Sequence, residues 1–272
     1  MDKILRTLIC GGQVSLTVLE MTELVNEAVR IHNPEPEAAE MLGGLLTCGA
    51  YLASGLKVEN GCISLTVKAK ENDGAVSVSA DGALHVRGYA DGSCTGTLAG
   101  GSLTVVREDG YSRPFVGTCE ILSNDISDIL ETYFGQSEQI ATAVAFKSAF
   151  GENGRCLYYG GVVMQLLPDA SDGAIQEAAD VFERFKNCGE SNADAQTVLE
   201  KNFRPCISGE VAEFFPQYRC NCSEAKIRGV LASVGREELL KICDELGEVK
   251  VHCHYCNTDY IYGKKRIEET FK

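Results

Sequence analysis

Four cysteines near the C-terminal end of the chain could bind one metal ion together. Cys220 and Cys222 form a Cys-x-Cys pair, and Cys253 and Cys256 form a Cys-x-x-Cys pair, with 30 residues between the two pairs. Zn²⁺ takes four such thiolates at the corners of a tetrahedron, about 2.3 Å from the metal. Neither pair is informative alone. Together, in the last quarter of the chain, they predict one zinc ion per chain.

The other candidate ligands are weaker. His252 and His254 lie beside Cys253, but four thiolates already complete a zinc site, so we expect both histidines to surround the site or to face solvent. The remaining nine cysteines show no ligand spacing, and most are expected to be small buried residues. They are Cys10, Cys48, Cys62, Cys94, Cys119, Cys156, Cys188, Cys206 and Cys243.

The segment that carries the four cysteines needs such a site in order to fold. Residues 216–272 contain few large apolar side chains, and a unit of this size often depends on a metal or a disulfide. A structural zinc contributes apparent values of about 10–16 kcal/mol at neutral pH. Metal loss should therefore unfold this segment. The residues alone leave three interpretations open: a permanent structural zinc, a thiol switch, or a zinc ribbon that binds nucleic acid or protein.

Composition narrows the class of protein. The 272 residues carry a formal net charge of −14, which argues against a general affinity for nucleic acid or anionic membranes. No apolar run is long enough for a transmembrane helix, and the N-terminus is typical of a first strand rather than a signal peptide. The odd number of cysteines, 13, also favours a reducing cytosol. No phosphate-binding loop or nucleophile elbow is present, so no enzymatic site is expected.

The elements that position the four cysteines follow from hydrophobic periodicity. Alternating apolar residues such as those from Val14 to Val18 and from Ile63 to Val67 predict antiparallel strands. Residues 37–56 are apolar on nearly every side, which predicts a helix buried inside the domain. The predicted fold is α+β. It has an N-terminal domain of antiparallel sheets at 1–170, a helical linker at 171–215 and a small zinc domain at 216–272.

Several helix boundaries can be proposed in the same way. Thr22 could cap a first helix, and Gly135 is expected to end a helix that begins near Ile126. In the linker, a single apolar stripe is predicted at Ile175, Ala178, Phe182 and Phe185. Ser223, Gly235 and Gly247 mark the limits of two helices between the cysteine pairs.

Further motifs are distributed along the chain: Tyr-x-Cys-x-Cys-Ser at 218–223, Cys-x-x-Cys with Tyr260, Arg-Gly-Tyr at 87–89, the Gly-Gly-Ser-Leu-Thr-Val run at 100–105, Tyr-Phe-x-x-Ser-Glu-Gln at 133–139 and the Gly-Gly segment at 160–168. With these motifs the chain resembles the heat shock protein 33 family of redox-regulated bacterial chaperones, over essentially the whole length. One departure is Asp91-Gly92, where an Asn-Pro pair would be expected.

The resemblance implies an ATP-independent holdase that protects unfolded client proteins under oxidative and heat stress. It implies that oxidation expels zinc and forms two disulfides between nearest neighbours, Cys220 with Cys222 and Cys253 with Cys256. Disorder of the linker and the tail would then uncover apolar surface. A cytoplasmic location and a homodimer of the oxidised form are also implied.

Two other functions remain possible from the sequence. A zinc ribbon could bind nucleic acid or protein, although the negative charge disfavours nucleic acid. A thiol–disulfide oxidoreductase could use Cys253 and Cys256, but the expected βαβ setting is missing.

Overall fold

The computed structural model of the protein describes residues 1–70, 74–91, 98–109, 113–188 and 193–271. It has the predicted α+β fold. The strands are β1 (Lys3–Ile9), β2 (Val14–Glu20), β3 (Cys62–Lys68), β4 (Ala75–Asp81), β5 (His85–Ala90), β6 (Ser102–Glu108), β7 (Phe115–Glu120), β8 (Thr142–Phe150), β9 (Cys156–Leu166), β10 (Ala212–Phe214), β11 (Gln217–Tyr218), β12 (Val249–Cys253) and β13 (Thr258–Tyr262). The helices are α1 (Thr22–His32), α2 (Pro36–Ala53), α3 (Ile126–Tyr133), α4 (Asp172–Asn187), α5 (Ala195–Phe203), α6 (Glu224–Val234), α7 (Arg236–Leu246) and α8 (Lys264–Thr270).

Five strands form an antiparallel sheet in the order β10-β1-β2-β9-β8. Val14, Leu16 and Val18 of β2 point to one face of this sheet. Leu19 and, on β1, Ile4 point to the opposite face and into a different core. Because side chains alternate along a strand, this sheet can bury apolar residues on both of its faces.

Six strands form the second sheet in the order β11-β5-β4-β3-β6-β7. The apolar positions predicted on β3, namely Ile63, Leu65 and Val67, are completely buried. The prediction of antiparallel pairing holds for this sheet except at one edge, where β11 runs parallel to β5. The exception arises because β11 reaches this edge through a long connection rather than a hairpin.

Helix α2 lies in the main core, as its apolar residues predict. Its buried residues share one cluster with apolar residues from both sheets and from α1 and α3. Pro36 occupies the first turn of the helix, where a missing backbone N–H costs nothing. The larger core is therefore organised around a helix enclosed by the sheets.

Two predicted helix boundaries differ from the structure. Thr22 does not cap α1 but is its first residue, because its hydroxyl accepts a hydrogen bond from the backbone N–H of Tyr159 at 3.1 Å. The carboxylate of Asp2 instead accepts the N–H groups of Glu23 and Leu24, at 2.9 and 2.6 Å. The first turn is thus capped by a distant residue that a local pattern does not reveal.

Gly135 does not end the third helix, contrary to the prediction. The chain continues through a π-helical turn, Phe134–Glu138, and leaves it at Gln139, which has a left-handed φ of 55°. Phe134 is 2% exposed, and its carbonyl accepts the N–H of Ile140 at 3.1 Å. Burial of this aromatic ring extends the turn past a glycine that would otherwise permit termination.

The linker helices α4 and α5 cover one face of the five-stranded sheet. Ala178, Phe182 and Phe185 are buried as predicted, but Ile175 is 39% exposed and Val181 is buried instead. The face of α4 that meets the sheet is therefore centred one helical position away from the predicted stripe. The end of the linker is also not helical, because β10 pairs with the otherwise open edge of β1.

The C-terminal elements surround a small core of their own. The hairpin of β12 and β13 packs with α6, α7 and α8. Ser223 caps α6 by accepting the N–H of Lys226, and the two helices end at Gly235 and Gly247, all as predicted. Seven buried residues form this core: Ile227, Leu231, Leu239, Cys243, Val249, Tyr262 and Ile267.

The chain divides into two compact units, Met1–Tyr218 and Arg219–Lys272. The segment predicted as a linker, 171–215, belongs to the first unit and packs on its sheet. Among the described residues, no helix is long and apolar enough to cross a membrane.

Candidate metal centre

The smaller unit brings its two cysteine pairs together from separate elements. Cys220 and Cys222 lie in the irregular segment that precedes α6. Cys253 is the last residue of β12, and Cys256 lies in the tight turn between β12 and β13. That turn is closed by Asn257 with a left-handed φ of 55°, a conformation that Asn tolerates better than most residues. The hairpin and the helix start therefore hold the two pairs facing each other.

The four sulfurs form one compact cluster. All four Sγ atoms lie within 4.8 Å of one another. The Sγ atoms of Cys220 and Cys253 are 3.7 Å apart, and those of Cys222 and Cys256 are 3.3 Å apart. Four sulfurs around a zinc ion at about 2.3 Å would be separated by about 3.8 Å. The donor set therefore fits a tetrahedral ion of this size, and a small adjustment of the side chains would complete the geometry.

Polar groups around the cluster suit sulfurs in the thiolate form. The backbone N–H of Cys222 donates to the Sγ of Cys220 at 3.5 Å. The hydroxyl of Tyr260 lies 3.2 Å from the Sγ of Cys222, and that of Thr258 lies 3.3 Å from the Sγ of Cys256. Such groups orient ligands and stabilise negative charge on sulfur.

Burial disfavours the thiolate form of Cys220 and Cys222 when no cation is bound. Burial raises the pKa of the Cys220 thiol, and its contact with Cys253 raises it further. Burial also raises the pKa of Cys222. Burial alone would raise the pKa of Cys256 as well, but the hydrogen bonds of its sulfur with the Thr258 hydroxyl and with the neighbouring thiols outweigh burial and lower this pKa to about 7. A positive ion bound among the sulfurs would favour the thiolate form of Cys220 and Cys222.

The histidines lie outside the cluster. His252 and His254 are both exposed, and their rings meet edge to face at 5.1 Å. The Nδ1 of His252 is 2.7 Å from a carboxylate oxygen of Asp259. They are not part of the four-residue group that can hold a metal.

The other cysteines are mostly buried, as expected. Cys62 and Cys188 are half-buried. Cys94 lies outside the described residues, as does Gly92 of the Asp-Gly pair that differs from the family pattern. The buried ones are Cys10, Cys48, Cys119, Cys156, Cys206 and Cys243.

The contacts of Thr258 and Tyr260 with sulfur were not foreseen from the sequence. The signal was present in the alternation of β13, which places these two residues on the same side of the strand. The sequence predicts Tyr260 only as part of a family motif and assigns no role to it. The register of the hairpin, in which Cys253 is opposite Thr258, explains how both reach the cluster.

Serine substitutions should separate ligands from structural cysteines. We expect Cys253→Ser to lower zinc binding at least tenfold, because a hydroxyl is a much weaker zinc ligand than a thiolate. Cys243→Ser should leave zinc binding unchanged, since Cys243 donates to the carbonyl of Tyr262 at 3.5 Å and lies in the small core. Zinc content and a competition titration with a chromogenic chelator measure both. Equal loss of zinc in the two variants would reject the assignment.

The fold and the cysteine cluster together define a class: an α+β protein with a candidate Cys₄ metal centre in a small C-terminal unit. The model of the Hsp33 protein family matches residues 2–263. The chain therefore belongs to the Hsp33 family, and it is a chaperone of that family.

Individual relatives agree over almost the full length. The 33 kDa chaperonin of Clostridium perfringens (strain SM101 / Type A) is 31% identical, over 98% of this chain and 90% of its own length. The 33 kDa chaperonin of Clostridium botulinum (strain Hall) is 29% identical, over 98% of this chain and 96% of its own length. The crystal structure of the 33 kDa chaperonin (heat shock protein 33 homolog) of Thermotoga maritima superposes with a TM-score of 0.85 at 25% identity, covering 99% of this chain and 97% of that one.

Proposed function

We propose that this chain is a redox-regulated, ATP-independent holdase that binds unfolded proteins after oxidation of its Cys₄ centre. The observation that supports this most is the cluster of four sulfurs within 4.8 Å, in a unit whose own core is small. A sensor built in this way couples the chemical state of the sulfurs to the folding of the unit.

Cys220, Cys222, Cys253 and Cys256 would hold one zinc ion in the reduced, inactive form. When bound, the ion supplies positive charge that keeps four thiolates close together and cross-links two distant segments. The protein's own contribution is to orient the sulfurs, through the N–H of Cys222 and the hydroxyls near Cys222 and Cys256.

Oxidation of the sulfurs would remove the ligands. For each disulfide, two thiolates would lose two electrons to one molecule of peroxide, which takes up two protons from solvent and becomes two waters. We propose pairing between nearest neighbours, Cys220 with Cys222 and Cys253 with Cys256, as the family resemblance implies. The two short Sγ–Sγ distances, 3.7 and 3.3 Å, instead run between the motifs: each joins a cysteine of the Cys-x-Cys pair to a cysteine of the Cys-x-x-Cys pair. Disulfide mapping is therefore needed to distinguish neighbouring from crossed bridges.

The client-binding surface that we propose is the sheet face now covered by the linker. Apolar residues of β1, β2, β8 and β9 meet the buried side of α4 and α5 there, and they form a core separate from the main one. The sheet contributes Leu5, Ile9, Val14, Leu16, Val18, Ala145, Val162 and Met164. Release of residues 171–215 would expose this contiguous apolar face, and exposed patches of this kind bind other unfolded chains.

The remaining parts of the proposal concern setting and partners. We propose three functional regions with limits at 1–170, 171–215 and 216–272, a cytoplasmic location, and a homodimer of the oxidised form. We propose no catalytic role and no nucleic-acid partner, in line with a net charge of −14.

A client-protection assay tests the function. Aggregation of a chemically unfolded client should be suppressed by the chain after peroxide treatment, and zinc release should approach one ion per chain over the same range of oxidant. Equal protection by the reduced, zinc-loaded chain would reject the switch. Binding of nucleic acid by the reduced chain would favour a zinc ribbon, and rapid turnover of disulfide substrates would favour an oxidoreductase.

A further inference from the structure

Lys147, on the edge strand β8, contacts the C-terminal end of α4. Its ammonium group donates to the carbonyls of Phe185 and Cys188, at 3.0 and 2.6 Å. It also lies 3.6 Å from the Sγ of Cys188 and 4.6 Å from the ring centroid of Phe185. The carbonyl of Phe185 also accepts the backbone N–H of Cys188, at 3.2 Å. One side chain of the sheet thus adds a charged donor to the last carbonyls of α4, at the end where the helix dipole favours a cation.

Glu20, the last residue of β2, makes the complementary contact with α5. Its carboxylate accepts the backbone N–H of Ala195, the first residue of that helix, at 3.0 Å. The local cap, Asp194, binds a different group, the N–H of Thr197. A negative charge at a helix N-terminus is favourable for the same electrostatic reason.

The two charged residues lie in one row of the sheet. Both Glu20 of β2 and Lys147 of β8 pair with Gly160 of β9, the strand that lies between them. They therefore project from the same face, about 10 Å apart, since neighbouring strands are about 4.8 Å apart. The surface of the sheet at Gly160, between the two charged residues, is covered by Tyr158. A Cβ at Gly160 would lie only 2.7 Å from the hydroxyl oxygen of this tyrosine.

We propose that Lys147 and Glu20 are positioning residues that hold the ends of the two linker helices on the sheet. The inference rests on the proposed function, because it concerns the segment whose release would activate the chaperone. The charges are of opposite sign and each matches the helix end that it meets. This arrangement stabilises the covered state through side chains of the sheet itself, without any group of the metal centre.

The two side chains act on the helices and not on each other. If they formed a simple ion pair, exchanging the charges in Lys147→Glu with Glu20→Lys would restore the interaction. Because each charge faces a helix end of fixed polarity, the exchange should instead place the wrong charge at both ends. The exchanged double variant is therefore expected to hold the linker less well than either single variant.

Amide hydrogen exchange of the reduced, zinc-loaded full chain provides the test. In Lys147→Met, exchange in the C-terminal half of α4 and in α5 should rise about tenfold, because a partly buried cation at a helix end and its hydrogen bonds together contribute on that order. Lys147→Arg should keep exchange within about threefold of the wild type. Strands β2 and β9 should be unchanged in both. The matched control is Lys186→Met, which removes an exposed cation from the last turn of α4, the turn that Lys147 contacts.

Glu20→Ala should raise exchange mainly in α5, with Glu200→Ala on the exposed side of α5 as its control. The inference is overturned if Lys147→Met behaves like Lys186→Met, if exchange rises equally in β9, or if the charge exchange restores wild-type protection. These readouts come from the reduced protein. Failure of the oxidised wild type to protect a client would reject the proposed function, but it would not change the hydrogen-exchange results for the reduced protein.

Discussion

Removal of the metal from the full chain is expected to unfold residues 219–271 while the sheets of the larger unit remain. The small unit has seven buried residues in its core, and two of its three helices have 11 residues each, a length that is marginal without tertiary packing. Apparent zinc affinities of about 10–16 kcal/mol exceed what such a core supplies. Treatment with a strong chelator under reducing conditions should therefore abolish the protection of α6 and α7 in hydrogen exchange and lower the helical circular dichroism.

Addition of one equivalent of zinc should restore both signals. Cys243→Ser should respond to the chelator and to zinc as the wild type does, which makes it the control for general damage to the cysteines. A chelated chain that keeps α6 and α7 protected would show that the unit folds without the ion, and the coupling between sulfur chemistry and folding would be lost.

Phe185→Ala is expected to make the reduced chain active without oxidant. Phe185 is 1% exposed, contacts Phe203 of α5 with ring centroids 5.8 Å apart, and packs on the sheet beneath the linker. Truncation of a buried Phe costs about 3–5 kcal/mol. Because this loss falls on the contact between the linker and the sheet, it should favour release of α4 and α5. The measurement is suppression of client aggregation by the reduced, zinc-loaded variant.

Ile175→Ala serves as the control, because Ile175 lies on the same helix and is 39% exposed. It should leave the reduced chain inactive. The zinc content of Phe185→Ala should stay near one ion per chain, which would separate release of the linker from damage to the metal centre. An inactive Phe185→Ala with an exposed linker would contradict the proposed client-binding surface.

Features that depend on local periodicity could be predicted from the sequence. The strands around Leu16 and Leu65, the buried helix α2 and the two helices between the cysteine pairs all follow from spacing and end signals. The four cysteines could be named because their residue type and spacing already restrict them to a small number of roles.

Features that depend on contacts between distant residues could not be predicted. Asp2, the residue before β1, caps the distant helix α1, and the π-helical turn passes Gly135 because Phe134 is buried. The alignment of Glu20 with Lys147 follows from the register of three strands, which no pattern within either strand specifies. The same limit applies to the contact of Tyr260 with the sulfur of Cys222, which joins residues 38 positions apart.

The central claim is that oxidation of four sulfurs releases the linker from the sheet. Hydrogen exchange of α4 and α5 in the full chain, followed through a peroxide titration together with zinc release, tests it most directly. We expect both helices to be protected in the reduced protein and to lose protection in proportion to the zinc released. Full protection of α4 and α5 in an oxidised, zinc-free chain that suppresses client aggregation would contradict the account.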